Sequence, residues 1–158
     1  MLIFHSIEEC ISWRINQKTT VGFVPTMGAL HDGHLSLVDL SREKCDKTIV
    51  SIFINPAQFA ANEDLDSYPK TIDKDLLLLK EKKVDAVFMP TAEQMYNKES
   101  DNYFFESELS YKLEGKSRPH FFKGVTTIVH KLFNIVNPTH TVFGQKDAQQ
   151  LLIVEQMI

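Results

Sequence analysis

The sequence predicts an α/β protein built on a doubly wound parallel sheet, and three observations carry that reading. Strand-like apolar runs alternate with helical patterns along the chain. Residues 48–54 (Thr-Ile-Val-Ser-Ile-Phe-Ile) form a β-branched run without polar alternation, as expected of a strand buried on both faces. Glycine-containing polar segments follow directly on the strand candidates, where the ligand crevice of such a sheet lies.

The elements follow in order. Residues 6–17 read as a helix, with Ser6 as N-cap and Glu9 completing a capping box. Residues 21–26 form a strand, and helix 34–45 follows, carrying Leu35, Leu37, Val38 and Leu40. After the buried run comes helix 72–82, whose terminal lysines suit the negative end of its dipole. Residues 85–89 are a short strand stopped by Pro90, and 91–106 are expected to be loop with one short helix. Helix 125–136 places Val125, Ile128, Val129, Leu132, Phe133 and Val136 on one face. A strand over 139–143 and a helix over 148–158 complete the alternation, and no repeat interrupts it.

At 158 residues the chain has the length of one domain, with an ordinary 43% hydrophobic and 24% charged content. A formal charge of −4 and a pI of 5.8 leave no electrostatic footprint for nucleic acid. Cys10 and Cys45 are far apart and lack metal-type spacing, which favours reduced thiols in a cytoplasmic protein over a disulfide or zinc site. The apolar start at Met1 is broken by His5, Glu8 and Glu9, so it reads as neither signal peptide nor membrane span.

Polar groups cluster after the strands. Met27-Gly28 and His31-Asp32-Gly33-His34 follow the first, and Asn55 to Phe59 the second. Pro90-Thr91 follow the third, and Gly144-Gln145-Lys146-Asp147 with Gln149 and Gln150 the last. In a parallel sheet these segments meet in one crevice. A helix start after Gly33 offers free N–H groups and a partial positive charge to a phosphate. Gly33 lets a ligand approach the backbone closely, and His31 and His34 can donate to phosphate oxygens. Lys146 has the reach of a phosphate-binding cation, whereas the amide of Gln58 suits a hydroxy acid.

Each signal has a plainer explanation. His31 and His34 have the spacing of two metal ligands, but no third ligand is fixed and the His-Glu-x-x-His glutamate is missing. Lys146 and Asp147 could be a surface pair, and Gln58 and Gln150 ordinary polar residues. Singly these readings are the better ones. Together at successive strand ends they are not.

The stretch Pro25-Thr26-Met27-Gly28-Ala29-Leu30-His31-Asp32-Gly33-His34 resembles the nucleotide-binding signature of the pantothenate synthetase (pantoate–β-alanine ligase) family. Phe53-Ile54-Asn55-Pro56-Ala57-Gln58-Phe59 resembles its pantoate loop, and Asp66-Ser67-Tyr68-Pro69-Lys70-Thr71 its next stretch. Leu113-Glu114-Gly115, Gly124-Val125, the run 131–136 and Phe143-Gly144-Gln145-Lys146-Asp147-Ala148-Gln149-Gln150-Leu151 extend the match in order along nearly the whole chain. The resemblance implies a Rossmann-like fold of the nucleotidyltransferase superfamily that carries a histidine–glycine–histidine motif.

It also implies a two-step ligation in which pantoate attacks ATP to give pantoyl adenylate, and β-alanine then displaces AMP. On this footing Met27, Gly28, Ala29, Leu30, His31, Asp32, Gly33, His34, Gly144, Gln145, Lys146 and Asp147 contact ATP. His34, His31 and Lys146 are the catalytic groups, Gln58 and Gln150 hold pantoate, and Gln58 also reaches β-alanine. Mg²⁺ accompanies the nucleotide, and a cytoplasmic homodimer is implied. Two positions depart from the pattern: Phe121 stands where the family usually has histidine, and Lys70 where it has arginine. The family also has a serine-rich phosphate loop and a small C-terminal lid domain. Residues 1–158 are therefore expected to be an N-terminal ATP- and pantoate-binding domain that does not turn over alone. Another adenylyl- or cytidylyltransferase and a non-catalytic binding module are the rival readings. The glutamine pair favours a small hydroxy acid over a phosphorylated substrate.

Overall fold

The apolar run beginning at Thr48 becomes the middle of a sheet. The computed structural model describes residues 1–59, 71–96 and 105–158. Its strands are β1 (Leu2–Phe4), β2 (Val21–Thr26), β3 (Lys47–Ile52), β4 (Ala86–Phe88) and β5 (His140–Thr141). All pair in parallel, in the order β1-β4-β3-β2-β5. Val24 lies opposite Val50, and Val50 opposite Val87, so the centre of the sheet is a row of valines.

Side chains alternate between two cores, as a strand's period of two requires. Phe23, Ile49 and Phe88 face one side, with Cys10 of α1 (Ile7–Ile15), Val129 of α6 (Phe121–Val136) and Ile153 of α7 (Ala148–Met157). Val24, Val50 and Val87 face the other, with Val38 of α2 (Asp32–Lys44) and Leu79 of α3 (Ile72–Glu81). Helices on both faces make the sheet doubly wound, as expected. Gly22 sets how close α2 can lie: a Cβ there would come within 2.2 Å of Ser41 Oγ.

Several ends differ from expectation for identifiable reasons. The helix expected from residue 34 begins at Asp32, because His31 caps it with its imidazole. The helix expected from 125 begins at Phe121, and a left-handed Asn137 before Pro138 stops it where the sequence indicated. The strand expected over 139–143 shortens to His140–Thr141 at the sheet edge. Strand β1 was not foreseen, since its Leu2 and Ile3 are exposed and give no burial pattern. The short helices α4 (Ala92–Met95) and α5 (Glu114–Ser117) complete the set. Among the described residues no helix is long and apolar enough to cross a membrane.

Candidate active site

The chain order reverses beside β2, whose neighbours are β3 on one side and β5 on the other. A crevice must open at the carboxyl ends of strands flanking such a point. A cavity of about 410 Å³ lies there, walled by the segment after β2, the segment after β5 and one face of α6.

The turn after β2 is built backbone first. Gly28 has φ +85°, where only glycine is at ease, and Ala29 follows at +52°. The turn is held from α3 by Asp75, which is 1% exposed. Its carboxylate accepts the N–H groups of Ala29 (2.9 Å) and Leu30 (2.8 Å), and the Thr71 hydroxyl adds a third bond at 3.2 Å. Reading the sequence had missed Asp75. Its signal is an acid four residues before the buried Leu79, on the inward face of an amphipathic helix.

His31 Nδ1 accepts the Gly33 N–H at 3.1 Å. That nitrogen carries no proton while it caps the helix, so Nε2–H is its free donor. The space that a Gly33 Cβ would fill is taken by the His31 ring itself, 2.9 Å away. Gly33 is therefore needed first for the cap and only then for a ligand. The two imidazoles lie 4.2 Å apart between centroids.

His34 is half-buried in the first turn of α2, and its Nδ1 is buried without a partner among the described residues. The residue lines the cavity. Burial holds its pKa below the usual 6.5, with His31 and Lys146 pushing the same way against the opposing pull of Asp75 and Asp147. His34 is thus a neutral donor at neutral pH rather than the fixed cation that a protonated ring would supply. The unfolded chain takes up that proton more readily. The stability that follows is whole above about pH 6.5 and lost as pH falls through the folded value. The melting temperature is expected to drop less in His34→Gln than in the parent between about pH 7 and pH 5. Identical pH dependence in thermal melts would remove His34 from that role.

On the opposite bank, Lys146 and Asp147 line the cavity from the 3-10 turn Gln145–Asp147. Both are exposed, and neither takes part in an ion pair among the described residues. A Cβ at Gly144 would meet nothing closer than 3.7 Å, so packing does not demand glycine there and the room faces the cavity. Gln150 lines the cavity from α7, and Gln58 from the 3-10 turn Pro56–Gln58. That turn sits tightly on α6, where a Gly124 Cβ would be 2.3 Å from the Ala57 carbonyl oxygen. Val125, Ile128, Val129 and Leu132 give the cavity an apolar wall.

Of the residues expected to meet a nucleotide, Met27, Gly28, Ala29, His31, Gly33, His34, Gly144, Lys146 and Asp147 line the cavity. Leu30, Asp32 and Gln145 do not; Leu30 packs in the core at 5% exposure. Thr91 caps α4 instead of reaching the crevice. Gln149 turns away to bond Leu109, Lys112 and Glu114. Phe121 lies under the Arg118 guanidinium (4.2 Å), which also donates to the Gln58 carbonyl at 2.9 Å. Lys70 and the stretch around Tyr68 fall outside the described residues.

Comparison with known proteins adds a family. The profile of the family described as Pantoate-beta-alanine ligase matches residues 2–158. A pantothenate synthetase of Ruthia magnifica is 55% identical over 147 residues, covering 93% of this chain and 52% of that protein. A pantoate–β-alanine ligase of Saccharomyces cerevisiae is 46% identical over 172 residues, covering 100% of this chain and 56% of that protein. The crystal structure of pantothenate synthetase from Thermus thermophilus superposes with a TM-score of 0.93 at 41% identity, over 99% of this chain and 56% of that one. A pantoate–β-alanine ligase from Francisella tularensis, complexed with beta-gamma ATP and β-alanine, gives 0.93 at 38% identity, over 99% and 61%. This chain spans about half the length of the curated relatives it matches.

Proposed function

The chain belongs to the pantoate–β-alanine ligase family, and from that premise we propose that its cavity binds ATP beside pantoate and forms pantoyl adenylate. One observation carries this reading. The donors at the start of α2 and the cation Lys146 share a cavity with two amides and an apolar wall. The first group suits phosphates, and the second suits a small hydroxy acid with a dimethyl-substituted carbon.

In the first step a pantoate carboxylate oxygen bonds to the α-phosphorus, and the bond to the bridging oxygen of pyrophosphate breaks. Charge builds on phosphoryl and pyrophosphate oxygens. His34 and His31 donate to those oxygens from Nε2, and Lys146 offsets the charge of the leaving group. The N–H groups of Ala29 and Leu30 are already spent on Asp75, so they shape the turn without binding phosphate. In the second step the β-alanine amine attacks the acyl carbon and AMP leaves. Gln58, which lines the cavity with the α6 wall, is placed beside that carbon in this reading.

Mg²⁺ fits as a companion of the phosphates rather than as a resident ion. Among the described residues no group of three or more His, Cys, Asp or Glu is placed to hold a metal, and Asp147 is the one carboxylate in the lining. An ion that keeps several waters and binds through phosphates needs little more. Its chemistry there is to neutralise pyrophosphate charge. A cytoplasmic homodimeric enzyme completes the reading, on the family resemblance alone.

Calorimetry of the purified chain with ATP, pantoate and β-alanine in turn tests the proposal. ATP and pantoate are each expected to bind weakly, with no AMP released when all three are present. Turnover is expected to need the part of the relatives' length that this chain does not cover. Absence of binding by both ATP and pantoate would overturn the reading.

A further inference from the structure

Gln58 is held by a chain of hydrogen bonds running away from the cavity, and two main-chain groups fix its polarity. The Ala57 N–H donates to Asn55 Oδ1 at 3.3 Å, and Asn55 Nδ2 donates to the Gly124 carbonyl at 3.0 Å. Neither main-chain group can exchange its role, so the Asn55 amide has one orientation. Asn55 Nδ2 also donates to Gln58 Oε1 at 2.8 Å, which leaves the Gln58 NH₂ group for a ligand. Behind Asn55, the Tyr96 hydroxyl donates to Oδ1 at 2.5 Å, the closer of the two bonds to that oxygen. Burial pushes the Tyr96 hydroxyl up to about 12, so it stays protonated and remains a donor. The Lys131 ammonium lies 4.8 Å from the Tyr96 ring centroid and donates to the Met95 carbonyl at 2.7 Å, which steadies the ring.

We propose that Tyr96 is a positioning residue that acts through Asn55 to hold firm the Gln58 amide, whose NH₂ group faces outward, so that this wall selects a ligand presenting an oxygen acceptor. The inference rests on the reading of Gln58 as a pantoate contact, where the acceptor is a hydroxyl or carboxylate oxygen. Without the tyrosine hydroxyl, Asn55 Oδ1 keeps only its longer bond. Asn55 can then rock about its remaining bonds, and the Gln58 amide, whose polarity the main chain still sets, is held less firmly.

A double-mutant cycle tests this, with pantoate and ATP binding measured by calorimetry on the purified chain. Gln58→Ala is expected to weaken pantoate binding by roughly fivefold or more, with ATP binding held within about twofold. Tyr96→Phe is expected to weaken pantoate by about three- to tenfold, and to have no further effect when Gln58 is already alanine. The same loss in both backgrounds, or an equal loss for ATP, would mark a merely structural tyrosine and overturn the inference. A parent chain that binds no pantoate, or a Gln58→Ala variant that binds it normally, would instead remove the functional reading and the inference with it. Should Tyr96→Phe fail to fold, the side-chain amide resonances of Gln58 in the parent decide. Nε2 protons that shift on adding pantoate support the outward donor, and unmoved ones overturn it.

Discussion

His34→Ala, in a chain extended to the relatives' full length, is expected to lower pantoate-dependent exchange of pyrophosphate with ATP by about a hundredfold or more. ATP affinity is expected to fall much less. The reason lies in the protonation state. Burial, then His31 and Lys146, keep the imidazole neutral, so it would bring no net charge to a nucleotide bound as proposed. It offers one hydrogen bond, whose strength grows as charge accumulates on the phosphoryl oxygens. An interaction that strengthens toward the transition state appears in the rate rather than in binding. His34→Gln can still present a side-chain donor and is expected to recover part of the loss. Exchange by the alanine variant within a few-fold of the parent would sink the assignment.

Asp75→Ala is expected to cost about 3 kcal/mol of stability, because two main-chain N–H groups lose a charged acceptor in a dry site. For a chain of this size that is roughly a 10 °C fall in melting temperature. Asp75→Asn keeps one acceptor oxygen but sets an NH₂ group against an N–H, and is expected to lie between parent and alanine. The damage should extend past stability, since the clamped turn carries Gly28 and Ala29 at positive φ just before His31. Thermal melts with and without ATP measure both effects. A loss under about 1 kcal/mol would show that the turn holds without its clamp.

The sheet and most helices were legible because burial writes a period into the sequence. Residues 48–52 lacked alternation, and each is buried between two helical layers. Ser6 with Glu9 announced the cap of α1, and the capping box is present. The strand ends likewise pointed to one crevice, where His31, His34, Gln58, Lys146 and Gln150 do meet. What escaped has a common physical source, namely roles defined by partners distant in the chain. Asp75 reads as a solvated acid until the turn at Gly28 is laid against it, where a Gly28 Cβ would sit 3.2 Å from its Oδ2. The Tyr96 hydroxyl finds its partner in Asn55, 41 residues away in sequence. His31 is an unusual N-cap, so the start of α2 was read late. Leu2–Phe4 became a strand by pairing with Ala86–Phe88, which no local pattern could foretell.

The strand order also bears on how the molecule comes together. Strands β2, β3 and β4 follow one another along the chain and lie side by side, so joining them closes comparatively short loops. Strand β5 must instead find β2 from far away, and the bond from the Val21 N–H to Thr139 Oγ1 spans 118 residues. Closure entropy rises with loop length, so the three inner strands are expected to assemble early and β5 to dock late. The cavity straddles that late seam. One bank is present once β2 and α2 are in place, whereas Gly144, Lys146 and Gln150 arrive with β5 and α7. On the proposed reading, a nucleotide touching both banks would recognise only the finished sheet, and by mass action would draw the population toward the closed seam. On that reading, ligand and fold would therefore stabilise each other at the same place, the junction between the first and last parts of the crevice to form.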